Sequence, residues 1–138
     1  MRDILFRGKR KENGEWVYGN YAVIDNNEKQ QHFIFQNKAF EFEVVPETVG
    51  QYTGITDDNG KKIFEGDILG ITNDDPDYDY ITKVYLDCDT LCVDVQGQDY
   101  DYTSIGFAIE IWDDECDQVE VIGNIYDNPE LLEVRNDL

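Results

Sequence analysis

Short apolar runs separated by polar turns recur along the whole chain. Residues 40–44 show the pattern most clearly, because two phenylalanines and a valine alternate with two glutamates. Alternation with a period of two is typical of a β-strand that buries one face. Runs of this kind predict strands at residues 4–7, 16–24, 32–35, 40–44, 49–55, 63–69, 80–86, 91–95, 105–111 and 119–122.

Turn residues stand between these runs. The tetrapeptide Asp57-Asp58-Asn59-Gly60 is the strongest hairpin signal, because Gly60 reaches a positive φ at little cost. Asn13-Gly14 is a second signal of the same kind, and Gly66 predicts a kink or bulge at the start of a strand. Residues 46–48 predict a single helical turn, and the acidic segment 73–79 predicts an exposed loop.

The C-terminal segment has a helical signature. Asn128 can cap a helix, Pro129 suits the first helical position, and Glu130 is favourable near the positive end of the helix dipole. So short a helix must dock Leu131 and Leu132 on a sheet to be stable. We therefore predict a mainly β fold, with a barrel- or sandwich-like antiparallel sheet and a short C-terminal helix, in one domain over residues 1–138.

Composition agrees with a folded, cytoplasmic protein. The chain has 138 residues, of which 41% are hydrophobic. The N-terminus lacks the apolar run of a secretory signal, and no stretch approaches the ~20 apolar residues of a membrane helix. We predict location in the cytoplasm and no membrane partner.

Charge is strongly negative and unevenly distributed. The net charge is −20; residues 1–38 hold seven Lys/Arg and five Asp/Glu, whereas residues 39–138 hold four and twenty-six. Such a surface repels phosphate, so we expect no direct binding to nucleic acid. The basic cluster Arg7, Lys9, Arg10 and Lys11 is interpreted as a solvated turn between strands.

Cysteine and histidine are too few to predict a metal or nucleophile site. Cys88, Cys92 and Cys116 are interpreted as reduced thiols, because their number is odd and zinc would need a fourth ligand. The only histidine, His32, lies in an apolar strand, where a structural hydrogen-bonded role is favoured over catalysis. No phosphate-binding glycine motif occurs.

Acidic pairs give the sequence its remaining candidate chemistry. Asp87 with Asp89, and Asp99 with Asp101, place two carboxylates on one side of a strand or turn, as edge strands also do to avoid aggregation. A calcium loop starting at Asp75 fails, because it lacks the required glycine and glutamate. We therefore predict no catalytic, cofactor-binding or metal-binding residues, and no cofactor.

Tyrosines interleave with aspartates in two segments. Tyr78 and Tyr80 lie in the first segment, and Tyr100 and Tyr102 lie in the second. Tyrosine combines an apolar ring with a polar tip and is enriched at interfaces. A contact with a partner and simple coverage of a sheet both remain open.

Several strings resemble the YopX family of phage and prophage proteins. They are residues 4–8, residues 46–55 with Asp57, Asn59, Gly60, Ile63 and residues 65–68, and residues 121–132. The resemblance implies a mostly β protein that is encoded by a phage or prophage and acts in a bacterial cytoplasm. It implies no particular activity and no catalytic residues.

Two functions follow from these observations. The first is a non-enzymatic accessory protein that binds a host or phage protein, in its sharper form as an acidic mimic of DNA. Self-association is also expected, because some aromatic residues are predicted on strands with two apolar faces, and a second copy could bury the outer face. These residues are Trp16, Tyr18, Tyr21, Trp112 and Tyr126. The alternative is a small metal-dependent hydrolase that uses Asp67, Asp87 or Asp89.

Overall fold

Antiparallel strands make up most of the computed structural model, which describes residues 4–27, 29–37, 40–87, 89–94, 102–115 and 118–134. The strands are β1 (Phe6–Lys9), β2 (Trp16–Asn26), β3 (Lys29–Asn37), β4 (Phe40–Glu43), β5 (Gly50–Thr56), β6 (Lys62–Phe64), β7 (Asp67–Thr72), β8 (Tyr80–Lys83), β9 (Tyr85–Asp87), β10 (Thr90–Asp94), β11 (Tyr102–Ser104) and β12 (Gln118–Asn124). Two α-helices are described, α1 (Ile105–Glu115) and α2 (Glu130–Val134). The predicted mainly β fold with a short C-terminal helix is confirmed.

The chain forms two compact units, Met1–Gly54 and Ile55–Leu138. In the first unit the strand order is β4-β3-β2-β1-β5, and all neighbouring strands are antiparallel. One face of this sheet forms a small core. Its buried residues are Val17, Ile34 and Val44, and Phe6, Tyr21, Phe42 and Val49 pack against them.

The second unit contains two three-stranded sheets, with the orders β12-β7-β8 and β11-β10-β9. The main-chain N–H of Asp94 in β10 donates to the Thr82 hydroxyl in β8, at 3.0 Å. The Trp112 indole N–H donates to the Tyr80 hydroxyl at 2.7 Å, so the ring is buried with its polar atom satisfied. The buried residues of this core are Ile63, Leu69, Ile71, Val84, Val93, Ile105, Ala108, Trp112, Val119 and Val121.

The strand predicted at residues 105–111 is wrong, because this segment belongs to α1. Among the α1 side chains that the structure describes, Ile105, Ala108 and Trp112 are buried, and their spacing of three and four positions is helical. Phe107, which alternation would have buried with Ile105, is 48% exposed. The Ser104 hydroxyl accepts the Phe107 N–H at 3.3 Å and caps the helix. Trp112 therefore lies on a helix and not on the predicted strand.

The remaining strand boundaries differ from prediction by a few residues. β1 begins at Phe6 rather than at residue 4. The run predicted over residues 80–86 divides into β8 and β9 at Val84, whose N–H donates to the Asp67 carbonyl oxygen. Tyr126 lies in the turn after β12, so it too leaves the predicted strand. The predicted end at residue 95 lies outside the described residues.

The turns that the glycines predict are confirmed. The Asp57 N–H donates to the Lys61 carbonyl oxygen at 2.8 Å, and Gly60 has a φ of 82°. Gly66, with a φ of 93°, directly precedes β7, and Gly14 has a φ of 75°. Pro46–Thr48 forms the expected single turn, of 3₁₀ type.

We expect Gly60→Val to lower the free energy of unfolding by about 1–2 kcal/mol. A Cβ at this position would meet no atom within 4 Å, so the cost comes from the positive φ alone. Gly60→Asn is the control, because asparagine tolerates this backbone conformation better than valine does. Chemical denaturation of both variants measures the difference, and equal stability of the valine variant and the wild type would contradict the prediction.

The C-terminal helix begins near the predicted position, but Asn128 does not cap it with its side chain. The Asn128 carboxamide oxygen accepts the Asn124 N–H at 3.3 Å, and the Asn128 main-chain oxygen accepts the Leu131 N–H. The side chain thus closes the turn after β12. Leu131 and Leu132 are partly buried, as docking of a short helix requires.

Candidate functional site

The carboxylates considered for metal-dependent hydrolysis have structural positions. Asp67 is buried, and its Oδ2 accepts the Phe64 N–H at 2.7 Å across the turn that precedes β7. Asp87 ends β9, and Asp89 follows in the β9–β10 turn with a φ of 66°. Within the described parts of the chain, no group of three His, Cys, Asp or Glu side chains could hold a metal ion. Asp99 and Asp101 lie outside the described residues.

His32 has the hydrogen-bonded structural position that the sequence favoured. Its Nδ1 lies 2.6 Å from the Tyr21 hydroxyl, and the two rings stack at a centroid distance of 5.9 Å. Burial raises the pKa of Tyr21 above 10.0. Both residues lie on adjacent strands β2 and β3, so the pair stabilises the hairpin.

The cysteines provide one described thiol. Cys92 is a free, buried cysteine, and its Sγ lies 3.4 Å from the Thr90 carbonyl oxygen. Cys88 and Cys116 lie outside the described residues. A buried thiol of this kind is typical of packing rather than of reactivity.

The acidic segment 73–79 is exposed, as predicted. Its centre is a 3₁₀ turn, Pro76–Tyr78, in which Asp75 Oδ1 accepts the Asp77 N–H at 3.0 Å. Asp79 Oδ1 accepts the Asn73 N–H at 2.7 Å. These two carboxylates therefore shape their own loop.

The tyrosines next to aspartates have different roles. Tyr80 accepts the hydrogen bond from Trp112, whereas Tyr78 and Tyr102 are exposed. The Tyr85 hydroxyl donates to Asp94 Oδ1 at 2.8 Å; burial and this carboxylate raise the pKa of Tyr85. Tyr100 lies outside the described residues.

The basic cluster is not a solvated turn throughout, which corrects its interpretation. Arg7 and Lys9 belong to β1, and Arg7 is buried. The guanidinium carbon of Arg7 lies 4.6 Å from the centroid of the Trp16 ring, and the Lys9 Nζ lies 5.5 Å from it. Stacking on an aromatic face favours a cation at this position, particularly where water is excluded. Only the end of the cluster lies in a turn.

A shallow cleft of about 330 Å³ lies beside that turn. Arg10 pairs with Glu12 at 2.9 Å, and Lys11 pairs with Glu43 at 3.5 Å. The Arg10 guanidinium carbon also lies 4.4 Å from the centroid of the Phe42 ring. The cleft is lined by two cations, each paired with a carboxylate, and by the further carboxylate of Glu41, so it offers little attraction to an anionic ligand.

Asp57 and Asp58 form a network that the sequence did not reveal. Asp57 Oδ1 accepts the N–H groups of Asn59 and Lys61 at 2.9 and 2.8 Å, and its Oδ2 accepts the Val121 N–H at 2.9 Å. Asp58 Oδ2 accepts the Val119 N–H at 2.7 Å. The two carboxylates thus attach the hairpin turn to β12. An aspartate at the first position of a turn was the only local signal.

The first unit has an aromatic surface opposite its core. Because side chains alternate along a strand, Trp16 and Tyr18 point away from the core that contains Val17. Phe33 and Phe35 of β3 lie on the same side, with ring centroids 6.1 Å apart. We call these four residues the aromatic face. Trp16, Phe33 and Phe35 are half-buried, and Tyr18 is 44% exposed.

Fold and surface together define a small, strongly acidic, mainly β protein with an aromatic face on a nearly neutral sheet. The family model described as YopX protein matches residues 5–133, and the chain therefore belongs to the YopX family. The family resemblance found in the sequence is confirmed.

Protein YopX of Bacillus subtilis is similar to this chain in sequence and in structure. The SPbeta prophage-derived uncharacterized protein YopX of strain 168 is 38% identical over 76 residues, which cover 54% of this chain. The matched stretch spans 52% of that relative. The crystal structure of protein yopX has a TM-score of 0.58 at 23% identity, covering 95% of this chain and 98% of its own, which shows a shared fold.

No helix in the described ranges is long and apolar enough to cross a membrane.

Proposed function

We propose that this protein is an accessory protein of phage or prophage origin that acts by binding another protein molecule. The aromatic face is the observation that carries the proposal. A sheet with apolar side chains on both faces exposes apolar surface to water. The free energy falls when a partner covers that surface. The name of the similar SPbeta protein supports the prophage origin.

The chemistry of the aromatic face suits a protein partner. Tryptophan and tyrosine offer large, rigid contact areas with a polar atom at the edge, and they are frequent among the residues that dominate binding energies. Lys9 beside Trp16 adds a partly exposed cation to the same surface, whereas Arg7 is buried beside the ring.

The acidic second unit favours a second version of this function, in which carboxylates imitate the phosphates of DNA. Residues 55–138 hold four Lys/Arg and twenty-three Asp/Glu, whereas residues 1–54 hold seven and eight. Such a field attracts basic proteins, and salt weakens the attraction. The aromatic face, by contrast, would bind through apolar contacts that salt does not screen.

Affinity capture from a bacterial lysate, compared between variants, tests the proposal. We expect Tyr18→Glu to reduce retention of a captured protein about tenfold, because an interface tyrosine can contribute about 1.4 kcal/mol, which corresponds to a factor of ten in affinity. Phe107→Glu is the matched control: it adds the same charge at a residue 48% exposed in the second unit.

Retention that both variants preserve but 0.5 M NaCl abolishes would assign binding to the acidic unit and overturn the role of the aromatic face. No retention by the wild-type protein, together with metal-dependent turnover in a panel of hydrolase substrates, would favour the hydrolase instead.

A further inference from the structure

β2 extends well beyond the strand that pairs with it on one side. Of the eleven residues of β2, only residues 16–19 pair with β1. The last pair is Phe6 with Gly19. β3 continues along the other side as far as Asn26, which pairs with Lys29. Among the described strands, β2 has no neighbour on the β1 side from Asn20 to Asn26. We call this part of β2, which has no described partner strand on the β1 side, the β2 edge.

The β2 edge lacks the features that usually keep an edge strand from pairing. Natural edges carry lysine, proline or a bulge, whereas residues 20–24 contain no charged residue and no proline, and their register with β3 is regular. Val23 is 45% exposed and Ile24 is 43% exposed, and alternation places them on opposite faces. β-branched residues of this kind favour strand pairing.

We propose that a second copy of this chain pairs antiparallel along the β2 edge, so that the sheets of the two first units join across a two-fold axis. This inference rests on the proposed protein-binding function and names the partner and the contact. An axis near Val23 would set each Val23 beside its symmetry mate, and main-chain N–H and C=O groups of both copies would form the ladder. The two-stranded end of the β2–β3 hairpin would thereby become part of a wider sheet, which is more stable than an isolated ribbon.

Charge decides which part of a second copy can approach. The second unit carries nineteen more acidic than basic residues, whereas the first unit carries only one more. Two chains of net charge −20 repel each other, and the repulsion is weakest where both present their first units. The β2 edge lies within that unit, and Asp25 is the only charged residue between Asn20 and Asn26.

Sedimentation of the full chain at tens of micromolar and moderate salt tests the inference. We expect a dimer for the wild-type protein, and for Val23→Lys a dimer dissociation constant raised about tenfold, because a symmetric interface contains the substitution twice. Leu86→Lys is the matched control, since Leu86 is 53% exposed on β9 of the second unit and the substitution adds the same charge. A lysine lowers the negative charge of the chain, and this effect alone would strengthen association. Weaker association of Val23→Lys therefore cannot come from its charge alone.

Hydrogen exchange of the wild-type protein provides a second readout that needs no variant. Those amide protons of residues 20–25 that do not already bond to β3 should become protected at dimer-forming concentrations and lose that protection on dilution. A wild-type monomer, or a dimer that Val23→Lys leaves intact and whose residues 20–25 gain no protection, would overturn the inference. If Tyr18→Glu still abolishes capture of another protein in that case, the proposed function stands without self-pairing; if the wild-type chain captures no protein at all, both fail.

Discussion

Replacing Asp57 with alanine is expected to lower the free energy of unfolding by about 3–5 kcal/mol. The Asp57 side chain is 6% exposed and accepts three main-chain hydrogen bonds, from Asn59, Lys61 and Val121. Hydrogen bonds to a charged acceptor are stronger than those to a neutral one. Alanine removes the carboxylate, so the three N–H groups lose their acceptor. A lower denaturation midpoint at an unchanged m-value would show this loss.

Asp58→Ala is the matched control for Asp57→Ala. It removes a neighbouring carboxylate that is exposed and accepts one main-chain hydrogen bond, from Val119. We expect it to cost about 1 kcal/mol. Equal effects of the two substitutions would contradict the special role of Asp57 and would point to general loss of negative charge in the turn.

The contribution of Asp57 should also depend on pH. Burial by itself would raise the pKa of Asp57, but the N–H groups of Val121, Lys61 and Asn59 and the charge of Lys61 hold it below 3.8. A carboxyl group with a lower pKa in the folded state contributes stability above its unfolded-state pKa. That contribution is lost as the pH falls through the folded-state value.

The gap in stability between wild type and Asp57→Ala should therefore be widest above pH 3.8 and should narrow in more acidic solution. Urea denaturation of both proteins across this range measures the gap. A gap that stays constant through the acid range would show that the charge of Asp57 contributes nothing to stability.

Local patterns were sufficient to predict most strands and turns, because the relevant interactions are close in sequence. Apolar runs located β2 and β3, alternation located β4, and Gly60 located the hairpin between β5 and β6. A period of two and a period near 3.6 can coincide over a few residues. The apolar residues of α1 are compatible with a strand and with a helix. The segment is helical because a helix also brings Ala108 and Trp112 into the core.

The Asp57 network was hidden because its partners are far apart in sequence. Val121 lies 64 positions from Asp57, and no local feature of either residue indicates the contact. The aromatic face was predicted in part, since Trp16, Tyr18 and Tyr21 suggested a strand with two apolar sides. The register of β2 with β3, which adds Phe33 and Phe35 to that face, required the structure.

The open edge of β2 required the structure for a similar reason. A run of apolar residues indicates a strand but does not show how long its neighbour is. β1 has four residues whereas β2 has eleven, so among the described strands the end of β2 extends beyond its partner. Neither the aromatic face nor the β2 edge could have been assigned from composition.

Gly19→Ala is expected to destabilise the protein by about 2–4 kcal/mol. An added Cβ at Gly19 would lie 2.2 Å from the Phe35 carbonyl oxygen and 2.8 Å from its carbon. These atoms belong to the backbone of β3, so no flexible side chain can move aside. Relief of the clash requires β2 and β3 to separate, which disturbs the hairpin that carries both the aromatic face and the β2 edge.

Gly106→Ala distinguishes this clash from the general effect of replacing glycine. A Cβ at Gly106 meets no atom within 4 Å, and the residue lies in the first turn of α1, where alanine is the better helix former. We expect Gly106→Ala to leave stability unchanged or to raise it by up to about 1 kcal/mol. Thermal or chemical denaturation of the two variants gives opposite signs if the approach of β3 to Gly19 is as close as the structure shows. A Gly19→Ala variant as stable as the wild type would mean that β2 and β3 separate locally at almost no cost, and the register that defines the aromatic face would then lose its support.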